Sequence, residues 1–338
     1  MTKRWVFAAA LWMLACGGLI SDPGRRATVT PSTDAQGITL LANTDTDGAR
    51  LALSDSELLI GCFDSQRGWL LATPKAGGDT RLITRLPRVL KGIEVDGDTA
   101  WVATWGGLYA VSISSGEKER IGDYGKAHAV ALSASHVVWL AEDGLWAQAR
   151  SGGSPTHLVS ERLSGGAVGI VGEFIYFGYY RGLFRIPISG GEPVLLAEHA
   201  SPNEGSRMFA RGDDLLVDLG VGGPTAFPMS GGERTPACTQ VWDHRGGFVA
   251  TETGMYWGAH EVVYGSVDNL ESPRDWQRNP RPRHKQGSAG GVYFCGYGAA
   301  SETTNLAPNT KDILDIVVDD THVYWLDKWT GAVGRSPR

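Results

Sequence analysis

Along this chain, apolar residues come in short bursts with an aromatic near the centre. Each burst is followed by a polar turn containing glycine and then by a second short apolar burst. The phrase runs over residues 99–104 and 106–111, returns at 136–141 and 143–147, and returns again at 174–178 and 181–187. Bursts this short, bounded by turn residues, predict strands rather than helices. No helical periodicity is sustained after residue 16, so the pattern predicts an all-β protein. The central residues of the bursts are Ile60, Trp101, Trp139, Phe177, Val217, Trp257, Phe294 and Trp325, spaced 31 to 41 positions apart.

A repeat near 40 residues with several short strands per unit is the signature of a β-propeller. Counting central residues gives about eight four-stranded blades, with seven as the alternative. One unit parses in full: an inner strand at 92–96, a second at 99–104, a third at 108–113 and an outer strand at 117–121. The turn between third and outer strands recurs as Lys75–Gly78, Arg150–Gly153, Ile188–Gly191 and Met229–Gly232, each ending in two glycines. Such a bend calls for positive φ, which glycine adopts at little steric cost. The last unit stops after residues 332–335 without an outer strand, while residues 38–42 look like the outer strand at 193–197. The N-terminal strand is therefore expected to complete the last blade, which removes an exposed sheet edge.

The first residues form a separate element. Lys3 and Arg4 precede an apolar run from Trp5 to Ala15. That run is short of the roughly 20 residues needed to span a bilayer, but it suits a secretory signal. Met13, Leu14, Ala15 and Cys16, followed by two glycines, resemble a bacterial lipoprotein lipobox. The resemblance implies cleavage before Cys16 and lipidation of its thiol. Each buried CH₂ of an acyl chain contributes about 0.8 kcal/mol, so two or three chains anchor firmly. The expected organisation is a signal peptide at 1–16, a flexible tether at 17–37 and the propeller at 38–338. The expected location is the outer membrane or cell surface, with periplasmic or secreted protein as alternatives.

Val323–Asp327 and Gly331–Arg335, read with the Ser-Gly-Gly turns, resemble the YWTD-type repeats of receptor propellers and their bacterial relatives. The style is similar to that of propeller lipoproteins of myxobacterial type. The resemblance implies a propeller used for binding or display. It carries over no catalytic residue, because the motif is structural.

The net charge of −6 gives no global field that would attract nucleic acid, and membrane contact is expected through the lipid anchor only. After removal of the leader, Cys62, Cys238 and Cys295 remain. At most one pair can form, and buried unpaired packing residues are the favoured reading.

In a propeller, the loops between second and third strands share a face with the links between blades, and that face surrounds the channel. The sequence puts Trp105, Glu142, Tyr179, Arg181, His260, Glu261 and Asp327 at the first kind of loop, and His128, His199 and His244 at the links. Tyr180 and Glu204 share that face. Aromatic area with convergent charges suits a small molecule, a polysaccharide or a protein partner. The residues favour binding over catalysis, with no catalytic group, metal or cofactor assigned. The alternative is a hydrolase or lyase propeller with a channel-bound metal, using those histidines with Glu142 and Glu261. A basic, proline-rich stretch around Arg274–Lys285 reads as a long solvated loop.

Overall fold

The computed structural model describes residues 32–338, except 35–36, 44–49, 65–66, 88–89, 123–124, 164, 220–223, 239–243, 260–289, 298–302, 309, 311 and 329, and except the side chains of 244 and 245. Cys16 and the segment read as a signal peptide lie outside the described residues, as do His260, Glu261 and the basic stretch.

The described strands form seven antiparallel sheets, each one blade. The chain opens with β1 (Ser32–Thr33) and β2 (Thr39–Asn43), which belong to the last blade. Blade 1 contains β3 (Arg50–Leu53), β4 (Glu57–Phe63), β5 (Arg67–Pro74) and β6 (Arg81–Pro87). Blade 2 contains β7 (Leu90–Asp96), β8 (Thr99–Thr104), β9 (Gly107–Ser112) and β10 (Lys118–Ile121). Blade 3 contains β11 (Ala127–Leu132), β12 (His136–Ala141), β13 (Gly144–Ala149) and β14 (Thr156–Val159). Blade 4 contains β15 (Ala167–Val171), β16 (Phe174–Tyr179), β17 (Gly182–Pro187) and β18 (Val194–Glu198). Blade 5 contains β19 (Met208–Arg211), β20 (Asp214–Asp218), β21 (Pro224–Pro228) and β22 (Thr235–Pro236). Blade 6 contains β23 (His244–Ala250), β24 (Gly254–Ala259), β25 (Gly291–Gly296) and β26 (Thr303–Asn305). Blade 7 adds β27 (Ile313–Val318), β28 (His322–Asp327) and β29 (Ala332–Pro337) to β2 and β1.

The closure expected from the sequence is present: β2 pairs with β29, with Thr39 opposite Arg335 and Asn43 opposite Ala332. The sheet reaches further back, since β1 pairs with β2 through Ser32 and Leu40. Ordered pairing therefore begins inside the segment read as a tether.

The count is seven blades rather than eight. Phe294 is not the centre of its own blade; it lies on β25 opposite Tyr256 of β24, within blade 6. Residues 260–290 separate those two strands, whereas two residues suffice between β8 and β9, β12 and β13, or β16 and β17. The insertion moves the third strand of blade 6 to the phase of a new repeat.

Period-two alternation buries both faces of each blade. On β12, Trp139 packs toward blade 2 with Ala103 and Leu108, while Val138 and Leu140 pack toward blade 4 with Ile175 and Phe177. Seven apolar clusters result, each shared by two consecutive blades around the ring. Trp139, Phe177 and Trp257 are fully buried, so the recurring aromatics hold the scaffold. The paired glycines of the four recurring turns all take positive φ, from 89° at Gly231 to 137° at Gly78 and Gly232.

The cysteines depart from expectation. Cys238, after the outer strand of blade 5, is bonded to Cys295 on β25 of blade 6, with Cα atoms 6.7 Å apart. Only Cys62 remains as a buried thiol among the described cysteines. The two bonded sulfurs are 57 positions apart, and only the curl of one blade onto the next brings them together.

Candidate functional site

Inner strands begin, and second strands end, on one face of the ring: Leu90 at the start of β7 pairs with Thr104 at the end of β8. The links between blades reach the same face. Two groups of charged residues are built there.

The first group spans the channel. The link between blades 4 and 5, residues 199–207, forms a strap. Its Glu204 receives a hydrogen bond from His128 Nδ1 at 2.7 Å and pairs with Lys91 Nζ at 2.7 Å. Lys91 and His128 each sit where the pairing register of an inner strand slips, in β7 between Leu90 and Gly92 and in β11 between Ala127 and Ala129. Such a bulge re-aims a side chain, and both bulged residues meet Glu204. Arg50 at the start of β3 donates to the carbonyls of Lys91 and Glu204, both at 3.0 Å. Gly205 between these contacts has φ of 73°, and a Cβ there would lie 2.2 Å from the Lys91 carbonyl oxygen. No larger residue fits without moving the backbone.

Arg207, the last residue of the strap, reaches across the ring. Its Nε donates to Glu94 of β7 at 3.3 Å and its Nη1 to Asp315 of β27 at 3.2 Å. Its Nη2 donates to the Leu51 carbonyl of β3 at 2.6 Å. Asp315 also accepts the backbone N–H groups of Leu51 at 2.8 Å and Ile316 at 3.0 Å. Blade 5 lies three places from both blade 1 and blade 2 in a ring of seven, as far apart as two blades can be. The strap therefore ties opposite sides of the ring to each other.

The electrostatics follow from these partners. Burial alone would raise the Glu204 carboxyl, but the hydrogen bonds from His128 and Lys91 outweigh it and hold the group at about 2. Burial likewise opposes the Arg207 charge, yet Asp315 and Glu94 keep its guanidinium above the ordinary value. Glu94 goes the other way: burial pushes its carboxyl up despite Arg207.

The second group forms an exposed arc along blades 2, 3 and 4. Trp105, between β8 and β9, has the Lys91 and Lys126 ammonium groups each 5.5 Å from its ring centre. Lys126 pairs with Glu142 at 3.6 Å, and Glu142 pairs with Arg162 at 3.0 Å. Next along the arc, Glu161 pairs with Arg181 and accepts the Tyr179 hydroxyl at 2.9 Å. Burial and that carboxylate push the Tyr179 phenol up to about 12. Arg181 Nε donates to the Tyr180 hydroxyl at 3.1 Å, and its guanidinium lies 5.6 Å from that ring centre. Tyr180 and Trp105 are the large aromatics exposed among the described residues.

The residues proposed from the sequence thus divide. Trp105, Glu142 and Arg181 stand on the exposed arc. Tyr179 supports it from below, buried under Glu161. His128 is buried against the strap through Glu204. His199 is exposed, with φ of 55°, and its N–H donates to the Arg181 carbonyl at 3.1 Å. His244 begins β23 on the same face, but its side chain lies outside the described residues. Asp327 is buried at the end of β28, where it accepts the N–H of Thr330 at 3.1 Å and braces a turn. Sequence reading missed Arg207, Glu94, Asp315, Lys91 and Lys126. A single carboxylate inside an apolar inner strand, as in Ile313–Val318, was the available signal for Asp315. Among the described residues, no three His, Cys, Asp or Glu side chains converge as a metal site.

No protein-family model matches this sequence, and no curated protein matches it. Solved structures match at the level of fold. Virginiamycin B lyase from Staphylococcus aureus aligns with a TM-score of 0.61 and 10% identity, over 88% of this chain and 97% of its own. The extracellular domain of a putative hybrid two-component system from B. thetaiotaomicron gives 0.58 and 11%, over 88% of this chain and 39% of that one. BamB from Moraxella catarrhalis gives 0.52 and 16%, over 93% and 100%. At these identities the chain shares with them the propeller fold.

Proposed function

We propose that this propeller is a binding module of the bacterial cell envelope, anchored through Cys16, which engages its partner with the exposed arc of blades 2–4 rather than inside its channel. One observation carries the reading: both exposed large aromatics, Trp105 and Tyr180, lie on this arc, while the channel mouth beside it is spanned by the strap. Aromatic anchors among polar groups are how surfaces of this kind bind partners. The fold likeness extends both to a lyase and to BamB, so it does not choose between catalysis and binding. A metal-dependent hydrolase or lyase would need imidazoles and carboxylates open to ligation. Of its candidates, His128 is engaged with Glu204 and Glu142 with Lys126 and Arg162, His199 is exposed, and the His244 side chain, His260 and Glu261 lie outside the described residues.

The test is a photo-crosslinking residue at position 180, compared with one at exposed Ser151 on the opposite face, in intact envelopes. The reading expects a discrete adduct from position 180 and none from 151. Adducts from 151 alone, or from neither, would overturn it. Fractionation of Cys16→Ala checks the anchor: the variant should leave the membrane fraction, and retention there would refute lipidation.

A further inference from the structure

Within each ion pair of the arc, the cation is the outer member. The Arg162 side chain is 81% exposed against 36% for Glu142, Lys126 is 46% exposed against the same Glu142, and Arg181 is 57% exposed against 36% for Glu161. The carboxylates lie underneath and hold the cations up. At these pairs the outermost charges are positive on a chain whose net charge is −6, with the exposed carboxylates Asp143 and Glu198 flanking them on the same face.

The aromatics carry the same message. Trp105 has two ammonium groups over it and Tyr180 has a guanidinium. A cation over a ring is attracted by its π-face, about 0.5–1 kcal/mol at an exposed site. Ring and carboxylate together direct Lys126 and Arg181, and Glu142 alone directs Arg162, before any partner arrives, which lowers the ordering cost of binding. A ring face already covered by a cation is poorly placed to stack on a sugar. An anionic side chain, by contrast, meets a preset donor.

We propose that the arc from Trp105 to Tyr180 binds an extended acidic segment of a protein, whose carboxylates pair with Lys126, Arg162 and Arg181 by exchange with Glu142 and Glu161. The proposal rests on the binding-module reading above and specifies the chemistry of the partner. Recognition of this kind is steered by charge and weakens with salt.

The experiment titrates the full-length, detergent-solubilised chain with fluorescein-labelled poly-L-glutamate, with polygalacturonate as the polysaccharide comparator. Poly-L-glutamate should bind, more weakly as salt rises, and Arg162→Glu with Arg181→Glu should lower the affinity by about tenfold or more. Arg162→Gln provides a milder variant, with a smaller loss and an unchanged urea midpoint. Binding of polygalacturonate alone would overturn the proposal in favour of a polysaccharide. So would binding of poly-L-glutamate that ignores these substitutions, or no binding at all. The crosslink from position 180 is read independently, so failure here with a positive crosslink removes the acidic segment and leaves the binding-module reading standing.

Discussion

The strap across the channel and the arc beside it are made of the same chemistry, arginine, lysine and glutamate in alternating pairs, yet they serve opposite ends. In the strap, Arg207 has 20% of its side chain exposed and Asp315 only 4%. In the arc, the cations stand well out into solvent. Burial decides the difference. A charge removed from water must keep its partner, because an unpaired one costs several kcal/mol. An exposed pair is worth about 0–1 kcal/mol and can trade partners at little cost. The strap is therefore a fastening, and the arc is a surface that can open its pairs toward a ligand.

The sharpest way to break this contrast is to remove Arg207. Arg207→Ala leaves the buried Asp315 and the partly exposed Glu94 without their cation and should cost about 3 kcal/mol, read as a fall in the urea midpoint. Gly205→Ala should act in the same direction through the clash with the Lys91 carbonyl, and an unchanged midpoint in either variant would mean that the strap bears no load.

Next in size is the Cys238–Cys295 bond, which fastens blade 6 to blade 5. Replacing both cysteines by serine should cost about 2–4 kcal/mol, and reductant should lower the melting temperature of the native chain but not of this variant.

The strap should also respond to acid. Glu204 is held at about 2 in the folded protein, below the ordinary 4.5. A lowered carboxyl contributes stability above its unfolded value and loses it as pH falls toward the folded one. The native chain should therefore lose stability between pH 4.5 and 2 more steeply than Glu204→Gln, which a pH series of unfolding midpoints measures. Equal slopes would contradict the assigned pairing.

The smallest effect belongs to the arc. Tyr180→Ala or Arg162→Gln should change stability by about 0.5 kcal/mol or less, while lowering the yield of partner bound. A large loss of stability in these variants would turn the arc into a second fastening and end the distinction.

Much of the scaffold was legible in the chain. Repeats of about 40 residues, the paired glycines and the orphaned N-terminal strand each follow from strand physics, and each has its counterpart in the ring. The blade count stayed open between eight and seven, and the ring took the alternative at Phe294, because spacing alone does not separate an insertion within a blade from a new blade. The disulfide failed for a related reason: bonding Cys238 to Cys295 depends on how two blades sit together, which no local pattern records. Of the site, the face of most candidate residues was readable, since loop order fixes it. Their division into buried and exposed was not. His128 and Glu204 both look like polar loop residues in sequence, and only the bulges at Lys91 and His128, with the strap folded over the ring, turn them inward.

The most direct test of the central claim is native-state hydrogen exchange, comparing the strap with the arc loop. The amide of Gly205, bonded to the Gly166 carbonyl at 2.9 Å, and that of Asn203, bonded to Asp218 at 3.1 Å, should exchange nearly as slowly as the blade strands. Peptides covering Tyr180 and Arg181 should exchange far faster. A strap that exchanges as fast as the arc would contradict the account, because the channel mouth would then be open and the two regions would be one surface.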